Sequence, residues 1–170
     1  MVAKNKSVLV IGLAFLLAMN SAISQESTST ASQIDPLSFQ LGKLSAFTEM
    51  VNVGLKKLAL SAAVSPQEMD AMVGDAERIA NEYGVELYRE TDLIVTDLFP
   101  ATVAEGKDVL LIYQGETLDE YMALKARKAE LIASGQYSGS AREQIAWSFG
   151  KMLSYPDAKI SRLIEGNTAQ

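Results

Sequence analysis

Lys125 and Lys128 stand where a helix should be apolar. At about 100° per residue, Leu118, Tyr121, Met122, Leu124, Ala129, Leu131 and Ile132 form one broad face between residues 117 and 134, and both lysines fall inside it. Asp119, Arg127 and Glu130 lie on the opposite side. A buried ammonium without a partner costs several kcal/mol. Each lysine therefore requires a carboxylate, a path to water along its own stem, or a bound anion. A lysine held in a half-buried cleft can also lose its proton more readily and act as a base. With Tyr121 on the same face, the pair makes the first candidate ligand site.

Trp147, the chain's single tryptophan, is the second. Between residues 140 and 154 the apolar arc is Ala141, Ile145, Ala146, Phe149, Met152 and Leu153, and Trp147 projects away from it between Glu143 and Lys151. A tryptophan among polar neighbours can stack on a sugar or a partner; covering by another element of the chain is the plainer account. The third candidate is the cluster Tyr88, Arg89, Glu90, Asp92, Asp97 and Tyr113. Two carboxylates facing one cleft can perform acid–base hydrolysis of a glycoside, so Glu90, Asp92 and Asp97 are the alternative, catalytic set.

What the chain lacks narrows the chemistry further. It has no cysteine and no histidine. Thiol nucleophiles, disulfides, Ser-His-Asp triads and the usual zinc, haem and copper sites are excluded on that ground. No phosphate-binding glycine loop, nucleophile elbow or EF-hand loop occurs. Neither a cofactor nor a metal site is expected.

These residues must be positioned by a small α+β domain. Asp35 caps a helix that opens at Pro36, and its apolar positions (Leu37, Leu41, Leu44, Val51, Leu55, Leu58, Ala62) carry the helical period to Ala62. A second stripe, Phe39, Ala46, Met50 and Val53, runs beside the first. Two stripes imply two neighbours, so a homodimer through residues 37–62 is one expectation. Ser65 and Glu68 form a capping box around Pro66, and Gly84 supplies the stop. From Val85 the period changes. Residues 85–89 alternate, and Leu93–Phe99 and Val109–Tyr113 are short runs rich in β-branched and aromatic side chains. They predict an antiparallel hairpin, widened to three strands by 85–89, with a short helix at 91–98 as the alternative. Three helices follow: 117–134, one opened by a capping box at Ser140 and Glu143, and one from Pro156 to Gly166. The expected architecture is thus a helix-rich single α+β domain at 35–166. It has an N-terminal helical hairpin, a small antiparallel hairpin or three-stranded sheet, and three C-terminal helices.

The N-terminus reads as an export signal. Lys4 and Lys6 precede an uncharged apolar run from Ser7 to Met19, too short to span a bilayer, and Ala22 and Ser24 offer small residues for cleavage before Gln25. Residues 25–34 then form a polar leader, and 167–170 a tail. Removal of the two lysines takes the net charge from −6 to −8. An acidic exported chain is a poor partner for nucleic acid, and no stretch beyond the signal is apolar enough to span a membrane. Residues 65–122 hold fourteen acids against three bases, while 123–170 hold four acids against seven bases. The basic C-terminal helices are expected to pack beside the acidic middle. The reading reached is a periplasmic or secreted, non-catalytic binding or interaction module. Its candidate residues are Lys125, Lys128, Trp147 and Tyr121, and its partner is a small ligand (anionic, glycan or apolar) or an envelope protein. The competing class is a histidine-free enzyme acting on envelope glycans.

Overall fold

The computed structural model describes residues 34–168. The expected export signal, its cleavage point and the leader up to Gln33 lie outside the described residues. In chain order the elements are α1 (Pro36–Asn52), β1 (Leu58–Leu60), α2 (Pro66–Tyr83), β2 (Glu86–Glu90), β3 (Val109–Tyr113), α3 (Thr117–Ala133), α4 (Gly139–Met152) and α5 (Asp157–Thr168). A single 3-10 turn at Ala101–Val103 interrupts the long connection from β2 to β3. The architecture is α+β, with a helical hairpin preceding three helices and a small antiparallel sheet.

The sheet has the order β1-β3-β2, so β3 is central and antiparallel to both neighbours. A central strand covered on both faces needs no alternation, and all five residues of Val109–Tyr113 are buried. Their side chains divide by parity. Leu110 and Ile112 join Ala59, Leu44, Met69 and Ala76 under the α1–α2 hairpin. Val109, Leu111 and Tyr113 join Leu58, Tyr121, Phe149 and Ile160 under α3, α4 and α5. The sheet therefore separates two apolar cores.

The helices form for local reasons. The Asp35 carboxylate accepts from the Ser38 N–H at 2.8 Å. The Ser65–Glu68 capping box is complete, and Gly84 sits in the left-handed region at φ 64°. At Gly150 a β-carbon would stand 2.7 Å from Ile160 Cγ1. The absence of a side chain there is what lets α4 and α5 cross closely.

Four expectations are corrected. The first helix does not reach Ala62. It ends at Asn52, because Gly54 takes φ 75° and the Leu55 N–H turns back to the Met50 carbonyl at 2.9 Å. Leu58–Leu60, helical by period, instead pairs with β3. The run Leu93–Phe99 is neither strand nor helix. Both edges of β3 are already taken, one by β1 and one by β2, so no edge is left for it. Ser140 does not cap α4, which begins at Gly139 with no side-chain capping bond. Finally, α5 continues past Gly166 to Thr168.

Candidate functional site

The segment 91–99 crosses the core on the α3–α5 side as irregular backbone, with Leu93, Ile94, Thr96, Asp97 and Leu98 buried. Buried backbone outside a ladder must find other partners, and the residues with unusual spacing supply them. Glu90, itself only 3% exposed, accepts the Asp92 N–H at 2.8 Å. The Tyr121 hydroxyl accepts the Ile94 N–H at 3.1 Å. The Lys125 ammonium donates to the Asp92 carbonyl at 2.5 Å and to Glu90 Oε2 at 3.0 Å, and stands 3.6 Å from the Asp92 carboxylate. At the far end Asn167 Nδ2 donates to the Asp97 carbonyl at 3.1 Å. The Asp97 carboxylate is buried and held by two nitrogens of Arg142, with Nε at 2.8 Å from one oxygen.

Two adjoining cavities lie along this segment. The larger, about 330 Å³, is walled by Val95, Phe99, Pro100 and Ala101 and carries Thr96, Asp97, Lys128, Tyr137, Arg142 and Asn167 as its polar groups. The smaller, about 240 Å³, lies between Asp92–Val95 and the outer turn of α3 at Lys125, Ala129 and Ile132. Val95 and Lys128 line both.

The two lysines have different environments. Lys125 has its carboxylate in Glu90. Lys128 is half-buried, forms no ion pair among the described residues, and has the Tyr137 ring 5.4 Å away as its neighbour. Burial lowers its pKa below the ordinary lysine value; Arg142 and Lys125 push the same way, while Asp92 and Asp97 oppose. Burial also raises the Tyr137 hydroxyl's pKa, keeping it a neutral donor. Arg142 spends Nε and Nη2 on Asp97, and among the described residues its Nη1 has no acceptor. A cation without an ion pair among the described residues, the Arg142-bound Asp97 carboxylate, a neutral hydroxyl, an amide and an apolar wall thus face one small cavity. No family model, curated protein or solved structure matches the chain. The chemistry of this cavity alone carries the functional reading.

The remaining sequence candidates are placed as follows. Tyr121 is fully buried with its hydroxyl turned to the chain, and burial raises its pKa far above the ordinary range. Trp147 is partly covered by the α3–α5 core; its Nε1 lies 3.3 Å from Glu143 Oε1, and Lys151 stands 5.9 Å from its ring centroid. Asp92 is open to solvent, with its side chain 92% exposed. Asp92 and Asp97 line different cavities of the two, and Glu90 lines neither. Arg89 bridges β2 to Asp70 of α2 at 2.6 Å and to the buried Asp108 at 2.5 Å. Tyr88 is exposed and Tyr113 lies in the core. Among the described residues no group of three or more carboxylates could hold a metal ion, and no helix is long and apolar enough to cross a membrane.

Sequence reasoning did not single out Tyr137, Arg142 or Asn167. They come from the α3–α4 turn, α4 and α5, and no spacing links them. A further cavity of about 430 Å³ between α3 and α4 also carries cations, but each is matched: Lys57 by Glu120, Arg127 by Glu130, and Lys151 by Asp157.

Proposed function

We propose that the chain is an exported, non-catalytic binding module for a small monoanion with an apolar body, held in the cavity between residues 95–101 and α3–α5. The observation that carries this reading is Lys128, a half-buried ammonium with no ion pair among the described residues, at the edge of an apolar-walled cavity. A protein that keeps such a charge uncompensated forgoes stability, and a bound anion restores the missing partner. A carboxylate would take Lys128 Nζ, with Arg142 Nη1 and the Tyr137 hydroxyl within the same lining. Its hydrocarbon part would lie on Val95, Phe99 and Pro100. The volume of about 330 Å³ falls at the low end of small-ligand sites. Export to the periplasm or beyond is supported by Lys4, Lys6, the run from Ser7 to Met19 and the small residues before Gln25.

Titration calorimetry tests the ligand class. The probes are phenylacetate, 4-methylpentanoate, inorganic phosphate, the neutral amides of both acids, and neutral glycans. Saturable binding of the acids, absent for their amides and weakened at least about tenfold by Lys128→Gln, is the expected result; tenfold corresponds to about 1.4 kcal/mol. Equal binding of acid and amide, or glycan binding indifferent to Lys128→Gln, overturns the reading.

A further inference from the structure

We propose that the ligand is a carboxylate branched at the carbon beside the acid group, with one apolar arm in each of the two adjoining cavities. The inference rests on the anion reading above and extends it to a ligand class. Val95 and Lys128 line both cavities. An anion held by Lys128 therefore sits at their junction, not at the end of a single groove. Taken alone, cavities of about 330 Å³ and about 240 Å³ lie at or below the low end for organic ligands, whereas one ligand reaching into both is of ordinary size. A ligand that fills both, with its charge at the junction, carries that charge between two arms.

The smaller cavity suits an apolar arm and not a second anion. Its other cation, Lys125, is already committed to Glu90 Oε2 at 3.0 Å and to the Asp92 carbonyl. The Asp92 carboxylate, open to solvent at the same cavity, repels a further negative charge. The rest of the lining is hydrocarbon. Ile132 is 55% exposed and Val95 41%, Ala129 is exposed one turn before Ile132 on α3, and Leu93 and Ile94, both buried, complete it. Beyond Leu55, the large apolar side chains that stand exposed among the described residues are Tyr88, Val95, Val103 and Ile132. Val95 and Ile132 line the smaller cavity, and Val103 ends the 3-10 turn that begins at Ala101 in the wall of the larger one. Single exposed apolar residues are ordinary; their collection around an ammonium is what the hydrocarbon of a bound anion covers.

Titration calorimetry of the protein, purified as the cell processes it from the full-length gene, provides the test with a matched set of acids. The acids 3-phenylpropanoate and 4-methylpentanoate each carry one arm. In 2-benzyl-4-methylpentanoate both arms meet at one carbon, and 7-phenylheptanoate is its unbranched isomer. The tighter-binding enantiomer of the branched acid should bind at least about tenfold better than any of the other three, a gain within what burial of a leucine-sized arm supplies. Ile132→Ser strips the wall of the smaller cavity, and Ala129→Phe fills it. Each should reduce that advantage to less than about threefold while leaving 3-phenylpropanoate unchanged. Both positions are exposed, so circular dichroism should be unchanged. If none of the acids binds, the anion reading fails and this inference fails with it. If the single-armed acids bind but the branched acid gains nothing, or its unbranched isomer binds as well, the two-armed assignment alone is overturned. Equal weakening of single-armed and two-armed acids by Ile132→Ser also overturns it.

Discussion

The two faces of the sheet are packed by different means. Under the α1–α2 hairpin, two regular helices satisfy their own backbones, and Leu44, Val51, Met69, Met72 and Ala76 meet Leu110 and Ile112; the buried Thr48 on α1 donates its hydroxyl to the Leu44 carbonyl of the same helix. On the opposite face, irregular backbone at 91–99 shares the core with α3, α4 and α5, and buried polar groups enter with it: Glu90, Thr96 and Asp97. The charged residues that looked chemically active in the sequence are mostly the partners this backbone requires. Lys128 is the member of that set without an ion pair among the described residues, and the cavity lies beside it. Off-pattern polar residues therefore mark irregular buried backbone first, and a ligand site only where one of them is left over.

That contrast can be broken at either face. The largest effect is expected from Met69→Ala, fully buried under the hairpin. It should cost about 3 kcal/mol by leaving a cavity, read as a lower urea midpoint at unchanged slope. Lys125→Met should cost about 2–3 kcal/mol, because it strands the buried Glu90. Its signature is local: hydrogen exchange should quicken at Asp92 and Ile94 and remain unchanged in α2. Uniform loosening of both faces would deny that the two cores are held by separate devices. Gly150→Ala should follow at about 1–2 kcal/mol, since its β-carbon would overlap Ile160.

The smallest effect has the opposite sign. Lys128→Met should stabilise the fold by about 0.5–1 kcal/mol while abolishing anion binding, the exchange expected of a functional residue. Its pH dependence follows from linkage. Burial lowers the folded-state pKa of Lys128 below the ordinary 10.5, so between that lowered value and 10.5 the unfolded chain binds more protons than the folded one. Stability conferred through this group therefore rises with pH across that window. The wild type should gain on Lys128→Met as the pH rises toward 10.5 in paired urea titrations. A constant difference would mean that Lys128 is fully hydrated.

Much of the fold was legible because its causes are local. The capping box at Ser65, the glycine at 84 and the apolar arc of 66–83 all act within one or two helical turns, and α2 forms where they place it. The failures share one origin. Leu55, Leu58 and Ala62 continue a helical period by coincidence, and the nearby Gly54 outweighed it. Leu93–Phe99 has strand composition, yet strand pairing depends on which edges remain free. In the candidate site, the helical wheel set Lys125 and Lys128 apart from the charges on the opposite face, and both side chains are half-buried. It could not distinguish them, because the partner of Lys125 lies 35 residues away in β2.

Hydrophobic period, helix caps, glycine stops and the absence of cysteine and histidine are properties of neighbouring residues or of composition. They settled the α+β class, most of the helices and the excluded chemistries before any folding was considered. The choice of β3 as the doubly covered strand was made by the tertiary structure. So were the irregular path of 91–99 and the meeting of Lys128, Tyr137, Arg142 and Asn167 at one cavity. These depend on contacts spanning as much as 70 residues, as between Asp97 and Asn167. Such contacts form only once segments distant in sequence have packed against one another.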